Sequence, residues 1–212
     1  MSQLQLLETI RMENGELPLL TYHLTRMHTA RKRVWRHKHP LQSVDKMIKI
    51  AFEKACLKQN GLATTPIVRC RVLYQREIEQ IEFMPYSIKT IGSVALIEDD
   101  KLKYDLKFAD RSALEALQVR AKADEAIIIQ KGLLTDTTYT NIALWNGLKW
   151  LTPATPLLLG TRRAFLLDRE IIKPRDILKS DIQNFSKIKF INAMMTWEES
   201  EAYDLEKILV KV

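Results

Sequence analysis

The sequence predicts an α+β fold in two lobes, and three observations support this prediction. Apolar residues recur at helical spacing before Gly61, the pattern changes to strand-like alternation after Pro66, and Asn146-Gly147 marks a strong hairpin signal. Because most predicted strands lie in local hairpins with helices laid beside them, the pattern favours α+β over an alternating βαβ arrangement. The polar stretch Asp99–Lys103 then separates an N-terminal α/β lobe, residues 1–98, from a C-terminal lobe, residues 104–212.

The N-terminal lobe is predicted to begin with a hairpin and two helices. Thr9–Met12 and Leu17–Leu20 are the hairpin strands, and Asn14-Gly15 is the turn because both residues tolerate positive φ. A basic amphipathic helix that carries the charge cluster Arg26–His39 is expected, with Arg26 in its first turn or two. A second helix is expected from the capping residue Ser43 to about Lys58. Three strands expected to be neighbours follow: Ile67–Tyr74, Glu79–Met84 and Ser93–Ile97.

The C-terminal lobe alternates predicted helices with apolar strands. Its expected elements are a helix Arg111–Ala123, a buried strand Ala126–Ile129, a hairpin of Ile142–Trp145 and Leu148–Leu151, a helix from Gly160-Thr161 to Asp168, a short helix Ser180–Phe185 and a strand Lys189–Ile191.

Composition narrows the function classes. No run approaches the roughly 18 apolar residues of a membrane span, and the N-terminus lacks a signal-peptide pattern, so a cytoplasmic protein without membrane contact is expected. Cys56 and Cys70 are predicted to be two buried thiols rather than part of a disulfide framework, and no spacing indicates a metal site. The net charge of +7 is concentrated in Arg26–His39. A solvated helix face explains this cluster best, attraction of an anionic substrate comes next, and nucleic-acid binding ranks last.

Lys107 is the candidate nucleophile of the sequence. A lysine forms a covalent link to an aldehyde most readily where its surroundings disfavour the ammonium form. Lys107 lies between the apolar residues Leu106 and Phe108, whereas Lys101 and Lys103 lie in the polar stretch. From these residues alone, two simpler interpretations remain. Lys107 could be an ordinary surface lysine, and Asp136 could be a loop residue that caps backbone amides.

Four sequence pieces together carry a family resemblance. His23–Arg26, Leu106–Arg111, Gly132–Asn141 and Leu159–Arg163 resemble, in order and spacing, the class IV aminotransferases, fold type IV enzymes that use pyridoxal 5′-phosphate (PLP). The resemblance extends from Glu8 to Met195 and implies the two-lobed fold of D-amino acid aminotransferases, shortened at the N-terminus. It also implies that the C-terminal lobe binds PLP and that the enzyme is a homodimer.

The resemblance assigns roles to individual residues. Lys107 would hold the cofactor aldehyde, Arg26 would bind the phosphate, and Asp136 would keep the pyridine nitrogen protonated in place of the longer Glu of the family. In the Gly-x-Thr-Arg turn of the family, Arg162 replaces the usual Thr. The complete expected cofactor set is Arg26, Lys107, Asp136, Asn141, Gly160, Thr161 and Arg162.

The function implied by the resemblance is that of an aminodeoxychorismate lyase, which releases pyruvate from an amino-chorismate to give 4-aminobenzoate for folate biosynthesis. Two alternatives remain open: an aminotransferase acting on a small amino acid, and a degenerate homologue that binds a ligand without catalysis. The expected substrate is a small anionic amino compound. Arg69 and Arg71, which share one strand face, are candidate partners for its carboxylate.

Overall fold

The computed structural model describes residues 4–210, which form two compact units. The first unit contains the described residues up to Ile88 together with Leu106–Ala109, and the second contains Lys89–Asp105 and the described residues from Asp110 onward. Both units combine helices and sheets, so the predicted α+β class is confirmed. The first unit ends before residue 98, because the strand Val94–Glu98 pairs with a strand of the second unit.

The first unit is a three-stranded antiparallel sheet with two helices. In chain order its elements are β1 (Leu6–Glu13), α1 (Leu20–Trp35), α2 (Val44–Cys56), a short 3-10 helix (Leu62–Thr64), β2 (Ile67–Tyr74) and β3 (Ile78–Pro85). The strand order is β1-β2-β3. One sheet face and the two helices share an apolar core that includes Ile10, Met27, Ile48, Val68 and Val72. Removal of this apolar area from water is the main stabilising term of the unit.

The segment Leu106–Ala109 lies along the free edge of β1. Leu6 and Phe108 form an antiparallel bridge, and the amide of Leu7 donates to the Lys107 carbonyl over 2.9 Å. The amide of Ala109 donates to the Gln5 carbonyl over the same 2.9 Å. The backbone on both sides of Lys107 is therefore fixed by β1, although these residues follow β1 by about a hundred positions.

The second unit contains two sheets. Its strands and helices are β4 (Val94–Glu98), α3 (Ser112–Ala121), β5 (Glu125–Gln130), β6 (Leu133–Thr137), β7 (Asn141–Trp145), β8 (Trp150–Pro153), α4 (Thr161–Asp168), β9 (Lys173–Arg175), β10 (Lys187–Ile191), β11 (Ala202–Asp204) and α5 (Leu205–Ile208), with a 3-10 helix at Lys179–Asn184. The sheet orders are β4-β5-β6 and β11-β10-β7-β8-β9. Because β6 leads directly into β7, Asp136 near the end of β6 and Asn141 at the start of β7 lie close together.

Two predicted strand pairings are wrong. Asn14 and Gly15 do adopt positive φ (48° and 80°), but Leu17–Leu20 forms no strand because α1 begins at Leu20. Instead, β1 pairs along its whole length with β2. The segment predicted as Ser93–Ile97 forms β4 but is no neighbour of β2, because it pairs in parallel with β5. Within the described chain, β6, β9, β11 and α5 were not predicted.

The basic helix also differs from its predicted bounds. Helix α1 ends at Trp35, and Arg36 adopts a left-handed conformation (φ 55°). Arg31 does not belong to a solvated basic face. Its buried guanidinium donates to the carbonyls of Arg76 and His39 and contacts the Glu77 carboxylate, so it joins the helix end to the β2–β3 turn.

Candidate functional site

A charged cluster lies within the apolar core of the first unit. Glu8 lies two positions from both Leu6 and Ile10 in β1, so its side chain shares their core-facing side of the strand and is fully buried. Arg26 Nε donates to Glu8 Oε1 over 2.9 Å, and Arg26 Nη2 donates to Glu8 Oε2 over 2.5 Å. His23, also fully buried, places Nδ1 2.6 Å from Glu8 Oε2. The sequence motif His23–Arg26 thus converges on one carboxylate.

The charges of this cluster determine its protonation states. Burial raises the pKa of Glu8, but Arg26 and His23 outweigh burial and bring the pKa to about 2. Burial lowers the pKa of His23, the Glu8 carboxylate counteracts burial, and Arg26 and Lys107 lower the pKa further. We conclude that at neutral pH Glu8 is an anion and His23 is neutral, with the proton on the Nδ1 that faces Glu8.

The structure places two predicted site residues in this unit, Arg26 and Lys107. Arg26 is mostly buried and forms a bidentate ion pair with Glu8, which fixes the plane of its guanidinium. The neighbours of Lys107, Leu106 and Phe108, pack against the apolar core, as their sequence predicted. Lys107 therefore lies on a rigid backbone at the edge of β1, which suits a nucleophile that must be held in position.

A second cluster in the other unit is organised around Asp136. This carboxylate is buried, and its two oxygens have different partners. Asn141 Nδ2 donates to Asp136 Oδ1 over 2.7 Å, and the amide of Leu158 donates to Asp136 Oδ2 over 2.8 Å. Asn141 Nδ2 also donates to the Leu158 carbonyl over 3.0 Å. The end of β6, the start of β7 and the loop before α4 are thereby joined at one carboxylate.

Asp136 is the most strongly perturbed acid of this unit. Burial raises its pKa to about 7, although the amides of Leu157 and Leu158, the Asn141 side chain and the charge of Arg163 lower the pKa. Arg163 makes its hydrogen bonds elsewhere, because its guanidinium donates to the Pro153 carbonyl over 2.7 Å and to Thr152 Oγ1 over 3.3 Å. No cation is hydrogen-bonded to Asp136 among the contacts that the described chain provides.

Helix α4 begins at the predicted turn. Gly160 is its N-cap residue, and Thr161, Arg162 and Arg163 form a buried first turn. The first amides of a helix have no acceptor within the helix, so they are donors for an anion. The Arg162 guanidinium lies 5.4 Å from the centre of the Phe165 ring. The replacement of the expected Thr by Arg162 thus adds a positive charge next to this turn.

Arg111, the last residue of the lysine motif, fixes the loop between Asp136 and Asn141. Its Nη2 donates to the Thr138 carbonyl over 2.9 Å. From the other side, the buried carboxylate of Glu125 accepts hydrogen bonds from the amide and the hydroxyl of Thr138. Sequence reasoning gave neither residue a role. The available signal was the position of Glu125 directly before the buried apolar run of β5, because an acid at a buried strand position requires a partner.

The two arginines proposed for substrate differ in their surroundings. Both lie on the β2 face opposite the apolar core, as their alternation with Val68, Cys70 and Val72 requires. Arg71 Nη1 donates to Glu82 Oε2 over 2.7 Å. Arg69 contacts the Met84 sulfur, and within residues 4–210 its buried Nε has no hydrogen-bond acceptor. Arg69 is therefore the better candidate for a carboxylate, because the charge of Arg71 is already balanced.

Residues 4–210 provide neither a membrane-spanning helix nor a metal-binding cluster. None of the helices there is both long enough and apolar enough to cross a membrane. That part of the chain also contains no group of three or more His, Cys, Asp or Glu side chains arranged to hold a metal ion. Cys56 and Cys70 are free thiols; Cys70 is buried as predicted, whereas Cys56 is only half-buried, so its predicted burial is wrong.

The residues present fit a phosphorylated pyridine aldehyde. A buried carboxylate without a hydrogen-bonded cation is a suitable partner for a protonated ring nitrogen, and Asp136 retains acceptor lone pairs beyond those used by Asn141 and Leu158. The N-terminus of α4, in the same unit, supplies amides for a phosphate.

Comparisons with known proteins agree with this chemistry. The family model for Amino-transferase class IV matches residues 5–198. An uncharacterized protein from Haemophilus influenzae is 34% identical over 190 residues, which cover 89% of this chain and 97% of that protein. The crystal structure of a candidate 4-amino-4-deoxychorismate lyase from Haemophilus somnus is 32% identical, with a TM-score of 0.78 and coverage of 92% of this chain and 99% of that chain.

A more distant structure shares the fold. A hypothetical aminotransferase from Mycobacterium tuberculosis, solved in a PLP-bound form, is 15% identical with a TM-score of 0.74, over 97% of this chain and 81% of that chain. These likenesses confirm the fold type IV architecture expected from the sequence.

Proposed function

The chain belongs to the class IV aminotransferase family, a family of enzymes, and from this premise we propose that it is a PLP-dependent 4-amino-4-deoxychorismate lyase. The reaction converts 4-amino-4-deoxychorismate to 4-aminobenzoate and pyruvate. The choice of this branch is supported by the Haemophilus somnus protein, a candidate lyase of similar length that matches this chain over nearly its entire sequence.

The observation that carries the cofactor proposal is the environment of Asp136. This carboxylate is buried, its pKa is raised to about 7, and its hydrogen-bond partners Asn141 and Leu158 are neutral. A carboxylate in such a position becomes stable as an anion when a cationic N–H donor lies against it. The protonated pyridine nitrogen of PLP is such a donor.

Each proposed residue has a defined task. Bound PLP supplies an electron sink for the carbon chemistry. Asp136 would hold the proton on the ring nitrogen, and the amides of Thr161 and Arg162 would donate to the phosphate. Lys107 Nζ would hold the cofactor aldehyde and would serve as the acid and base at the substrate carbon. Arg26, which the resemblance assigns to the phosphate, would present a guanidinium whose plane is fixed by Glu8.

Borohydride reduction tests the cofactor proposal. The protein is incubated with PLP, reduced with borohydride and digested, and the modified peptide is identified by mass spectrometry. We expect a phosphopyridoxyl group on Lys107 and none in Lys107→Ala, whereas the matched control Lys103→Ala should be labelled like wild type. Absence of label on wild-type Lys107 would refute the enzyme proposal and support the degenerate binding protein.

Product analysis separates lyase from aminotransferase. A lyase forms 4-aminobenzoate and pyruvate from 4-amino-4-deoxychorismate without any 2-oxo acid, because no amino group has to be accepted. An aminotransferase, the second candidate supported by the family membership, transfers its amino group only when a 2-oxo acid is added. Turnover that depends strictly on a 2-oxo acid would therefore replace the lyase proposal by the aminotransferase.

We further propose a small anionic amino substrate, a homodimer and a cytoplasmic location. The substrate proposal is supported by Arg69, whose guanidinium has no carboxylate partner among the described residues. Sedimentation equilibrium tests the dimer directly, since a monomer mass of 24.7 kDa would contradict it.

A further inference from the structure

Asn141 has no hydrogen left to offer a cofactor. A side-chain amide nitrogen carries two hydrogens. In this structure Asn141 Nδ2 donates to Asp136 Oδ1 over 2.7 Å and to the Leu158 carbonyl over 3.0 Å, which uses both. The side chain is buried, so these donors cannot turn to solvent without loss. Asn141 is thus committed to the carboxylate and to the loop before α4.

Gly160 makes room for this amide. A Cβ atom at position 160 would lie 1.8 Å from Asn141 Oδ1 and 3.0 Å from Asn141 Cγ, distances at which Asn141 would have to move. The backbone of Gly160 does not itself require glycine, because its φ of −69° and ψ of 141° are open to any residue. The requirement for glycine therefore comes from the space that Asn141 occupies.

The geometry assigns Asn141 and Gly160 to a positioning pair: Asn141 fixes the Asp136 carboxylate for the ring nitrogen, and Gly160 leaves the space that Asn141 needs. Neither residue contacts the cofactor in this assignment. The inference rests on the proposed function, since it specifies how Asp136 is held for PLP. Asp136 is one methylene shorter than the Glu of the family, and in this assignment β7 and the loop before α4 hold it at a defined place.

The first test compares asparagines at the two ends of β7. Asn141→Ala removes the amide, and Asn141→Asp keeps its size but replaces donors by a negative charge beside Asp136. Asn146→Ala is the matched control, because Asn146 caps the amides of Leu148 and Lys149 in the β7–β8 turn. PLP affinity is measured by titration, and the Asp136 titration is followed in the cofactor-free protein by carboxyl ¹³C NMR.

We expect both Asn141 variants to bind PLP at least about tenfold more weakly, because a buried hydrogen bond to a charged group is lost. The Asp136 titration midpoint should rise in Asn141→Ala and rise further in Asn141→Asp, since a donor is removed and a like charge is then added. Asn146→Ala should change neither quantity. An unchanged midpoint and unchanged PLP affinity in Asn141→Ala would overturn the assignment.

The second test is a double-mutant cycle between the two positions. Gly160→Ala alone should weaken PLP binding and shift the Asp136 midpoint, because the new methyl group displaces Asn141. In the Asn141→Ala background the same change should have little further effect, since the nearest remaining atom, Arg163 Cβ at 3.7 Å, lies at an ordinary contact distance. If Gly160→Ala weakens PLP binding equally in both backgrounds, the positioning pair is refuted. Glycine would then be required because the backbone at position 160 approaches the phosphate closely.

The borohydride experiment and the double-mutant cycle distinguish failure of the proposed function from failure of the positioning pair. If wild type shows no borohydride label on Lys107, the proposed function fails, although the Asp136 midpoint still reports the coupling between Asn141 and Gly160. If wild type is labelled and the cycle shows no coupling, the proposed function stands and the positioning pair is refuted.

Discussion

His23 Nδ1 lies 2.6 Å from Glu8 Oε2, and both side chains are fully buried. Removal of one charged partner from a buried cluster leaves the other charges poorly solvated, so such clusters are sensitive to substitution. Arg26, which contacts the same carboxylate, gives the cluster a balanced charge, because His23 is neutral at neutral pH. The position of Arg26 in this unit therefore depends on Glu8.

Glu8→Gln should destabilise the protein in a pH-dependent way. The pKa of Glu8 is lowered from 4.5 to about 2 in the folded protein, so the ionised carboxylate contributes stability above pH 4.5 that is lost as the pH falls toward 2. We expect the variant to lose about 3 kcal/mol of unfolding free energy at pH 7 and much less near pH 2. Urea unfolding at a series of pH values measures the difference.

Glu98→Gln is the control for this experiment. Glu98 contacts Lys179 over 2.7 Å, but both side chains are exposed, and such pairs contribute about 1 kcal/mol at most. An equal loss in the two variants, or a Glu8→Gln effect independent of pH, would contradict the buried-cluster account.

Asp136 should destabilise the cofactor-free protein as the pH rises. In the folded protein the pKa of Asp136 is raised from 3.8 to about 7, so the folded state binds the carboxyl proton more tightly than the unfolded state does. Proton binding by Asp136 therefore stabilises the folded state fully below pH 3.8, and this contribution is lost as the pH rises to 7. Relative to wild type, Asp136→Asn should therefore gain stability across this range, with a slope of up to about 1.4 kcal/mol per pH unit. Thermal or urea unfolding of cofactor-free protein tests the slope.

Asp45→Asn provides the comparison, because Asp45 is exposed in the first turn of α2. The difference in unfolding free energy between Asp45→Asn and wild type should stay constant between pH 4 and 7. With PLP bound, the order should reverse, since Asp136 then has a cationic partner and Asn does not. A flat difference between wild type and Asp136→Asn would show that burial does not control this acid.

Local signals were sufficient to predict several elements. The alternation of Ile67–Tyr74 gave the bounds of β2, and Gly160-Thr161 gave the start of α4, because these patterns are contained in a few adjacent residues. The partner of β1 could not be read in this way. β1 pairs with β2, which begins more than fifty positions later, and the nearer Asn14-Gly15 turn favoured a local hairpin.

The site was predictable where chemistry follows from residue type and order. Lys107 and Asp136 were found from the motifs, and the structure gives each a fixed setting, while their roles toward PLP remain proposals. The partners Glu8 and Arg163 were missed, because burial and hydrogen bonds depend on contacts between distant segments. For Glu8 a signal existed: it occupies a core-facing position of β1 between Leu6 and Ile10.

Arg111→Ala should loosen the loop that carries Thr138. The guanidinium donates to the Thr138 carbonyl over 2.9 Å, and its loss should cost about 1 to 2 kcal/mol of unfolding free energy. Amide hydrogen exchange at residues 137–140 should accelerate in the variant, because one of the contacts that hold the loop from outside is lost while that of Glu125 remains. Arg120→Ala, at the exposed end of α3, is the matched control and should leave both quantities unchanged.

Arg69 and Arg71 should respond differently when substrate binding is measured. Arg71 is neutralised by Glu82 at 2.7 Å, whereas the Arg69 side chain has only the Met84 sulfur and no carboxylate among the described residues. If Arg69 binds the substrate carboxylate, Arg69→Ala should raise KM at least about tenfold with little change in kcat, because only ground-state binding is lost. Arg71→Ala should stay within about twofold of wild type, since a half-exposed ion pair contributes little. Steady-state kinetics with 4-amino-4-deoxychorismate measure both parameters, and a larger KM effect in Arg71→Ala would assign the carboxylate to the other arginine.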